Sequence, residues 1–260
     1  MSSPPNHPVP GDGDDPAADS RAKSSGDLRT ESRGDSCAET QGNLRADSRS
    51  AGSSDSRNRA PAGSGTTHDY LSVLAAARGD AIVVATMTAA RVWATLSDGP
   101  WDVLYLPSAM GHAADIALGL ALAVPERRVV CVNGDGSLAM NLGGLITASS
   151  LAPRNLTQIV ILNQCYQIVG GPPIPGRHIV DWARLAEAAG WRVCGHCATP
   201  AMFAARLPEW LEPPGPAFVT VEVVDQPDMP QRLPRRHPSG ALAELRQALA
   251  AARNAGERPA

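Results

Sequence analysis

Val129-Val130-Cys131-Val132-Asn133-Gly134-Asp135-Gly136-Ser137 opens with four small or β-branched apolar residues in succession and no polar alternation. Such a run describes a strand buried on both faces, and strands of that kind belong to parallel sheets covered by helices. The strand delivers Gly134-Asp135-Gly136 to its carboxyl end, and an Ala/Leu-rich stretch over 138–151 reads as a helix led in by Ser137. The same pattern repeats on either side. Apolar runs at 82–84, 103–106, 158–162, 191–194 and 218–223 alternate with helix-length segments at about 69–78, 88–97, 112–124, 181–190, 200–211 and 239–253. Strands separated by helices give an α/β fold, a three-layer α/β/α domain with a mainly parallel sheet. Ligands of such sheets sit beyond the carboxyl ends of the strands, so the loops after Leu106, Val132 and Leu162 are where chemistry is expected.

Composition narrows the function classes. The 260 residues carry 23 Lys+Arg against 26 Asp+Glu, a net charge of −3 that offers no basic face for nucleic acid. The longest apolar run, 116–124, includes Gly119 and stops at Pro125, well short of the roughly 20 residues that span a bilayer. No charged segment followed by an apolar core opens the chain, so a cytoplasmic address is expected. Cysteines at 37, 131, 165, 194 and 197 are unevenly spaced, and reduced thiols are expected. Residues 1–67 hold Val9, Leu28 and Leu44 among Ser, Gly, Asp, Arg, Ala and Pro, with Asp-Ser-Arg or Glu-Ser-Arg recurring at 19–21, 31–33, 47–49 and 55–57. That segment cannot bury enough surface to offset its ordering entropy, so it reads as a disordered low-complexity tail ahead of one domain over 68–260.

Gly134 and Gly136 allow close backbone approach, and the free N–H groups at the following helix start favour phosphate. Asp135 offers a hard carboxylate oxygen. Asn163, separated from Gly136 by 26 residues and at the end of the next strand, offers an amide oxygen on the same sheet edge. Those two oxygens, a carbonyl and diphosphate oxygens make an octahedral shell suited to Mg2+. Gly-Asp-Gly alone is a common turn; its pairing with a strand-end Asn carries the signal.

These motifs resemble the diphosphate-binding, C-terminal domain of thiamine diphosphate enzymes. More narrowly, Ser108-Ala109-Met110-Gly111-His112-Ala113, the stretch 134–145 and Tyr166 through Gly170-Gly171 resemble the β subunits of sulfopyruvate and phosphonopyruvate decarboxylases. The resemblance runs from about His68 to the C-terminus. It implies Asp135, Asn163 and the Cys165 carbonyl as Mg2+ ligands, and Ser137, with Gly134, Gly136 and Tyr166 around it, at the diphosphate. It also implies Met110 as the apolar support beneath the bent cofactor, and backbone near Ser108, Met110 and Gly111 at the aminopyrimidine ring. His112 either contacts diphosphate or substrate, or caps the helix that it starts.

The family pattern departs at Gln164, which follows the metal-loop Asn, and at Ile168, Val169 and Pro172, which remove hydroxyl and amide donors that would hold a sulfonate or phosphonate. Arg177 and His178 offer positive charge nearby. The resemblance further implies that a Glu on a separate pyrimidine-binding domain activates the cofactor. About 190 folded residues leave no room for that domain, and Glu126, Glu187, Glu209, Glu212, Glu222, Glu244 and Glu257 all read as solvated. The chain is thus expected to be the β subunit of a decarboxylase of small 2-oxo acids, joined to an α subunit that donates the Glu, as α2β2. An acetolactate-synthase-like carboligase subunit and a non-catalytic regulatory subunit are the nearest alternatives. From another class, Cys194-Gly195-His196-Cys197 matches a thiol-disulfide motif. That chemistry needs its first thiolate at a helix N-terminus, whereas the pattern places Cys194 at a strand end with the helix beginning near Pro200. A second ligand pair for zinc is missing.

Overall fold

The computed structural model describes residues 64–104, 110–212, 214–224 and 238–255. Most of the expected tail, together with Cys37, Ser108 and Glu257, lies outside the described residues. The described fold starts a few residues before the change in composition: Gly65 bridges Val223, and Thr66 caps the first helix through a reciprocal pair of bonds with Asp69.

Six strands form one parallel sheet: β1 (Ile82–Ala85), β2 (Asp102–Leu104), β3 (Val129–Gly134), β4 (Leu156–Leu162), β5 (Val193–Cys197) and β6 (Ala217–Glu222), in the order β2-β1-β3-β4-β6-β5. The helices are α1 (Thr67–Ala77), α2 (Met87–Leu96), α3 (Ala113–Ala123), α4 (Asp135–Met140), α5 (Gly143–Leu151), α6 (Trp182–Ala188), α7 (Pro200–Leu211) and α8 (Pro238–Asn254). β1, β3 and β4 are buried nearly throughout, as unalternated apolar strands in a covered sheet must be. Alternate strand residues feed two cores. Val83, Val130 and Ile159 pack with α1, α2 and α7 on one face; Val84, Cys131 and Val160 pack with α3, α5 and α6 on the other. That makes three layers. None of the described helices is long and apolar enough to cross a membrane.

Two expectations need correction. The helix expected over 138–151 is two helices, broken at Asn141 and Leu142, and the first begins at Asp135 rather than at Ser137. The last-but-one strand runs 193–197, so Cys194 lies inside it instead of at its end. Being three residues apart on a strand, Cys194 and Cys197 face opposite sides: Cys197 belongs to the α1/α2/α7 core, and Cys194 packs against the other. Burial pushes the Cys194 thiol up to about 11 and also raises that of Cys197, opposite to what a redox thiolate needs. All four described cysteines are free thiols, and the pair cannot close a disulfide across the sheet.

The order of strands reverses between β1 and β3: the chain leaves β1 for β2 through α2 on one face, then crosses back through α3 on the other to β3. A crevice opens at such a point beyond the strand ends. The opposite end of β2 is held by Asp102, wholly buried, whose carboxylate accepts hydrogen bonds from Arg78 Nη1 (2.7 Å), Trp93 Nε1 (2.9 Å), Ser97 Oγ (2.6 Å) and the Gly99 N–H (2.7 Å). Asp102→Ala strands these donors, including a guanidinium that is itself mostly buried. The substitution is expected to cost about 3–5 kcal/mol in denaturant unfolding, with Asp102→Asn intermediate.

Candidate functional site

β3 and β4 pair in register up to Gly134 opposite Ile161, which brings the strand tips that carry Asp135 and Asn163 side by side. Asp135 is fully buried. Its Oδ2 accepts the Gln164 backbone N–H at 2.8 Å, and its Oδ1 accepts the Gly136 N–H at the same distance. Burial pushes the carboxyl up to about 6 against these donors, which favour the anion. Among the described residues no Lys, Arg or His pairs with it, so its two backbone N–H donors are what meet the buried carboxyl.

The second loop is shaped to meet the first. Gln164 takes a left-handed backbone (φ 60°), an unusual conformation for a residue with a β-carbon. Its N–H bonds Asp135 from there. Asn163 Oδ1 accepts the Cys165 N–H at 3.3 Å, and its Nδ2 donates to Gln167 Oε1 at 3.3 Å. Tyr166 N–H donates to the Pro172 carbonyl at 2.8 Å, and its ring presses onto the Gly-Asp-Gly turn: a β-carbon on Gly136 would stand 2.7 Å from that ring and 3.1 Å from Ile174. At Gly134 the same addition meets nothing within 4 Å.

A cleft of about 530 Å³, including its mouth open to solvent, lies over these loops. Its wall brings together Met110, Gly134, Asp135, Gly136, Ser137, Asn163, Cys165 and Tyr166 of the residues singled out in the sequence. Gly111 is buried and absent from the wall. With φ 89°, where a glycine is at ease, it donates its N–H to Ser137 Oγ at 2.8 Å. The Ser137 hydroxyl thus accepts one bond and keeps its own proton for another acceptor. His112 occupies the N-cap position of α3 without a side-chain capping bond, and its exposed ring pairs with Asp115 at 2.9 Å. Arg177 and His178 are exposed and do not line the cleft. Ser108 lies outside the described residues.

Sequence reasoning missed one wall. Thr86, Met87 and Thr88, after β1, line the cleft opposite the Gly-Asp-Gly turn. Thr86 is buried, and its hydroxyl has no hydrogen-bond partner although it stands at the N-cap of α2. Met87 takes φ 53°. The available signal was a Thr-x-Thr after a buried strand; what made it a site is the topological switch, and strand order is not written in the sequence.

The family model for the thiamine pyrophosphate enzyme C-terminal TPP-binding domain matches residues 81–221, more than half of the chain. The chain belongs to this family. The TPP-binding domain is 44% identical over 89 residues to the sulfopyruvate decarboxylase subunit beta of Methanothermobacter thermautotrophicus, covering 34% of this chain and 47% of that one. It is 36% identical over 146 residues to the phosphonopyruvate decarboxylase of Streptomyces viridochromogenes, covering 56% and 36%. The matched stretches thus span less than half the length of these relatives. In fold the domain is similar to the thiamine diphosphate-dependent 4-hydroxybenzoylformate decarboxylase of Rhodococcus jostii RHA1, with a TM-score of 0.53 and 22% identity over 64% of this chain and 34% of that one.

The two glycines of the turn have different jobs, and stability separates them. Gly136→Ala is expected to lower stability by about 1–3 kcal/mol because Tyr166 must move, whereas Gly134→Ala, extended at φ −94° and facing open space, is expected to leave the melting temperature within about 2 °C of wild type.

Proposed function

We propose that this chain is the β subunit of a Mg2+- and thiamine diphosphate-dependent decarboxylase of small 2-oxo acids, of the sulfopyruvate or phosphonopyruvate type. The observation that carries the proposal is the bond from Gln164 N–H to Asp135 Oδ2 (2.8 Å), which joins the two loops of the signature across the cleft. The residues fit the cofactor on independent grounds. Thr86 brings an orphaned buried hydroxyl to the wall, Ser137 keeps a proton to donate, and Gly134 leaves space that a β-carbon would take. Asp135 and Asn163, with the Cys165 carbonyl, would hold the metal. Among the described residues no group of three or more His, Cys, Asp or Glu side chains could hold a metal. Diphosphate oxygens would supply the rest of the shell that Mg2+ takes.

Thiamine diphosphate, when bound, supplies an electron sink for the loss of CO2 from a 2-oxo acid. This chain's residues position and neutralise. Asp135 offsets charge at the metal, Thr86 and Ser137 donate to anionic oxygens, and Met110 gives an apolar surface in the cleft. Acid–base work comes from elsewhere: among the described residues no Glu lines the cleft, and Asp135 is its single carboxylate. Glu126 pairs with Arg253, Glu209 with Arg206 and Glu222 with His196, all away from it. The activating Glu is assigned to an α subunit that carries the pyrimidine-binding domain, in an α2β2 assembly. Ile168 and Val169 give the cleft an apolar lip, so the substrate's anionic tail is held by groups beyond these two residues.

Asp135→Ala in the reconstituted complex is expected to weaken Mg2+-thiamine diphosphate binding by about 100-fold or more in calorimetry, and Gly134→Ala by a smaller factor with no loss of stability. An Asp135→Ala affinity within about twofold of wild type would remove Asp135 from the ligand set. The isolated chain is expected to be inactive towards sulfopyruvate, phosphonopyruvate and pyruvate; turnover without a second chain would contradict the assignment of the Glu. Acetaldehyde-type products in the complex, as opposed to acetolactate, separate decarboxylation from carboligation.

A further inference from the structure

We propose that Gln167 is a positioning residue for the metal site: its side-chain carbonyl fixes which end of the Asn163 amide meets the cation, an inference that rests on the ligand set proposed above. An asparagine amide offers an oxygen and an NH2 group of nearly the same shape, and only the oxygen has lone pairs to give a metal. Which end faces a cation is therefore set by what holds the amide. Asn163 is held at both ends. Its Oδ1 accepts the Cys165 N–H at 3.3 Å, and its Nδ2 donates to Gln167 Oε1 at 3.3 Å. A backbone N–H cannot accept and a glutamine Oε1 cannot donate, so turning the amide over loses both bonds at once. In the orientation they fix, Cys165 N–H takes one of the two lone pairs of Oδ1, and the second is left for a metal.

The loop puts Gln167 where it can do this. Gln164 is left-handed (φ 60°), and beyond that turn the side chains of residues 163 and 167 meet although no α-helix joins them. Tyr166 N–H donates to the Pro172 carbonyl at 2.8 Å, and the Tyr166 carbonyl accepts the N–H groups of Val169 and Gly171, both at 3.1 Å. Gln167 then opens a single 3-10 turn, Gln167–Val169, closed by the Gly170 N–H on the Gln167 carbonyl at 3.4 Å. The backbone that carries Gln167 is thus fixed on both sides of it. Both side chains stand in the cleft wall, and both residues are half-buried. A neutral hydrogen bond in such a place adds little to folding stability; its effect falls on the ligand that it orients. Mg2+ demands near-ideal octahedral geometry, whereas the larger Ca2+ accepts a looser set of oxygens. An Asn163 amide left to turn over therefore harms Mg2+ binding more than Ca2+ binding.

The test titrates MgCl2 and, separately, CaCl2 by calorimetry into the reconstituted complex of the full chain in excess thiamine diphosphate. Gln167→Leu removes the acceptor and keeps most of the bulk; Gln167→Glu keeps an acceptor at the same reach. Gln167→Leu is expected to weaken Mg2+ binding by about tenfold or more and Ca2+ binding by no more than about threefold. The melting temperature of the metal-free chain is expected to stay within about 2 °C of wild type. Gln167→Glu is expected to bind Mg2+ as tightly as wild type to within about threefold, or more tightly. Mg2+ binding by Gln167→Leu within about threefold of wild type overturns the assignment, as does an equal loss for both cations or a failure of Gln167→Glu to rescue. Asn163→Ala in the same titration keeps the two proposals apart. If it abolishes Mg2+-dependent cofactor binding while Gln167→Leu matches wild type, the positioning role alone fails. If the wild-type complex shows no Mg2+-dependent cofactor binding, the ligand set fails and the positioning role falls with it.

Discussion

A carboxylate removed from water needs donors or a cation, and Asp135 has two backbone N–H groups and, among the described residues, no cationic side chain. Everything at the candidate site depends on that arrangement. One of the donors belongs to Gln164, on the neighbouring strand tip, so a single hydrogen bond fixes the distance between the Gly-Asp-Gly turn and the Asn163 loop. The backbone at Gln164 is left-handed so that the bond can form, and Tyr166 is packed where a larger residue than Gly136 would collide. Local strain and a missing β-carbon are the costs of holding two loops at one point.

The sheet explains why that point is a cleft. Because β1 and β3 are neighbours but the helices that follow them lie on opposite faces, their loops diverge and leave a gap over the strand ends. The gap receives Thr86 and Thr88 from one side and Gly134 through Ser137 from the other. Hydroxyl groups thus face the space from both sides, and among the described residues no glutamate lines it.

Much of this was legible in the residues. Six apolar runs mark six strands, and the helices fall close to their expected places, because double-sided burial leaves no room for polar alternation in the strands. The spacing put Asp135 and Asn163 at neighbouring strand tips, and the pairing of β3 with β4 has them there. The break at Asn141 and Leu142 escaped, as apolar periodicity alone does not show where a helix turns a corner. Cys194 and Cys197 match a redox motif, but the apolar run before them already set Cys194 on a strand instead of at a helix start; the structure puts both on β5, where their side chains part.

The sequence by itself determined the layers and the signature loops, since both follow from local pattern: burial on two faces, glycine at a tight turn, a carboxylate at a strand tip. Only the tertiary structure decided which strands are neighbours. That choice brought Thr86 to the cleft, left Gly111 behind it and His112 outside, and turned Met140, Leu142 and Ile146 to solvent, because strand order and helix side are set by long-range packing between segments that no local pattern relates.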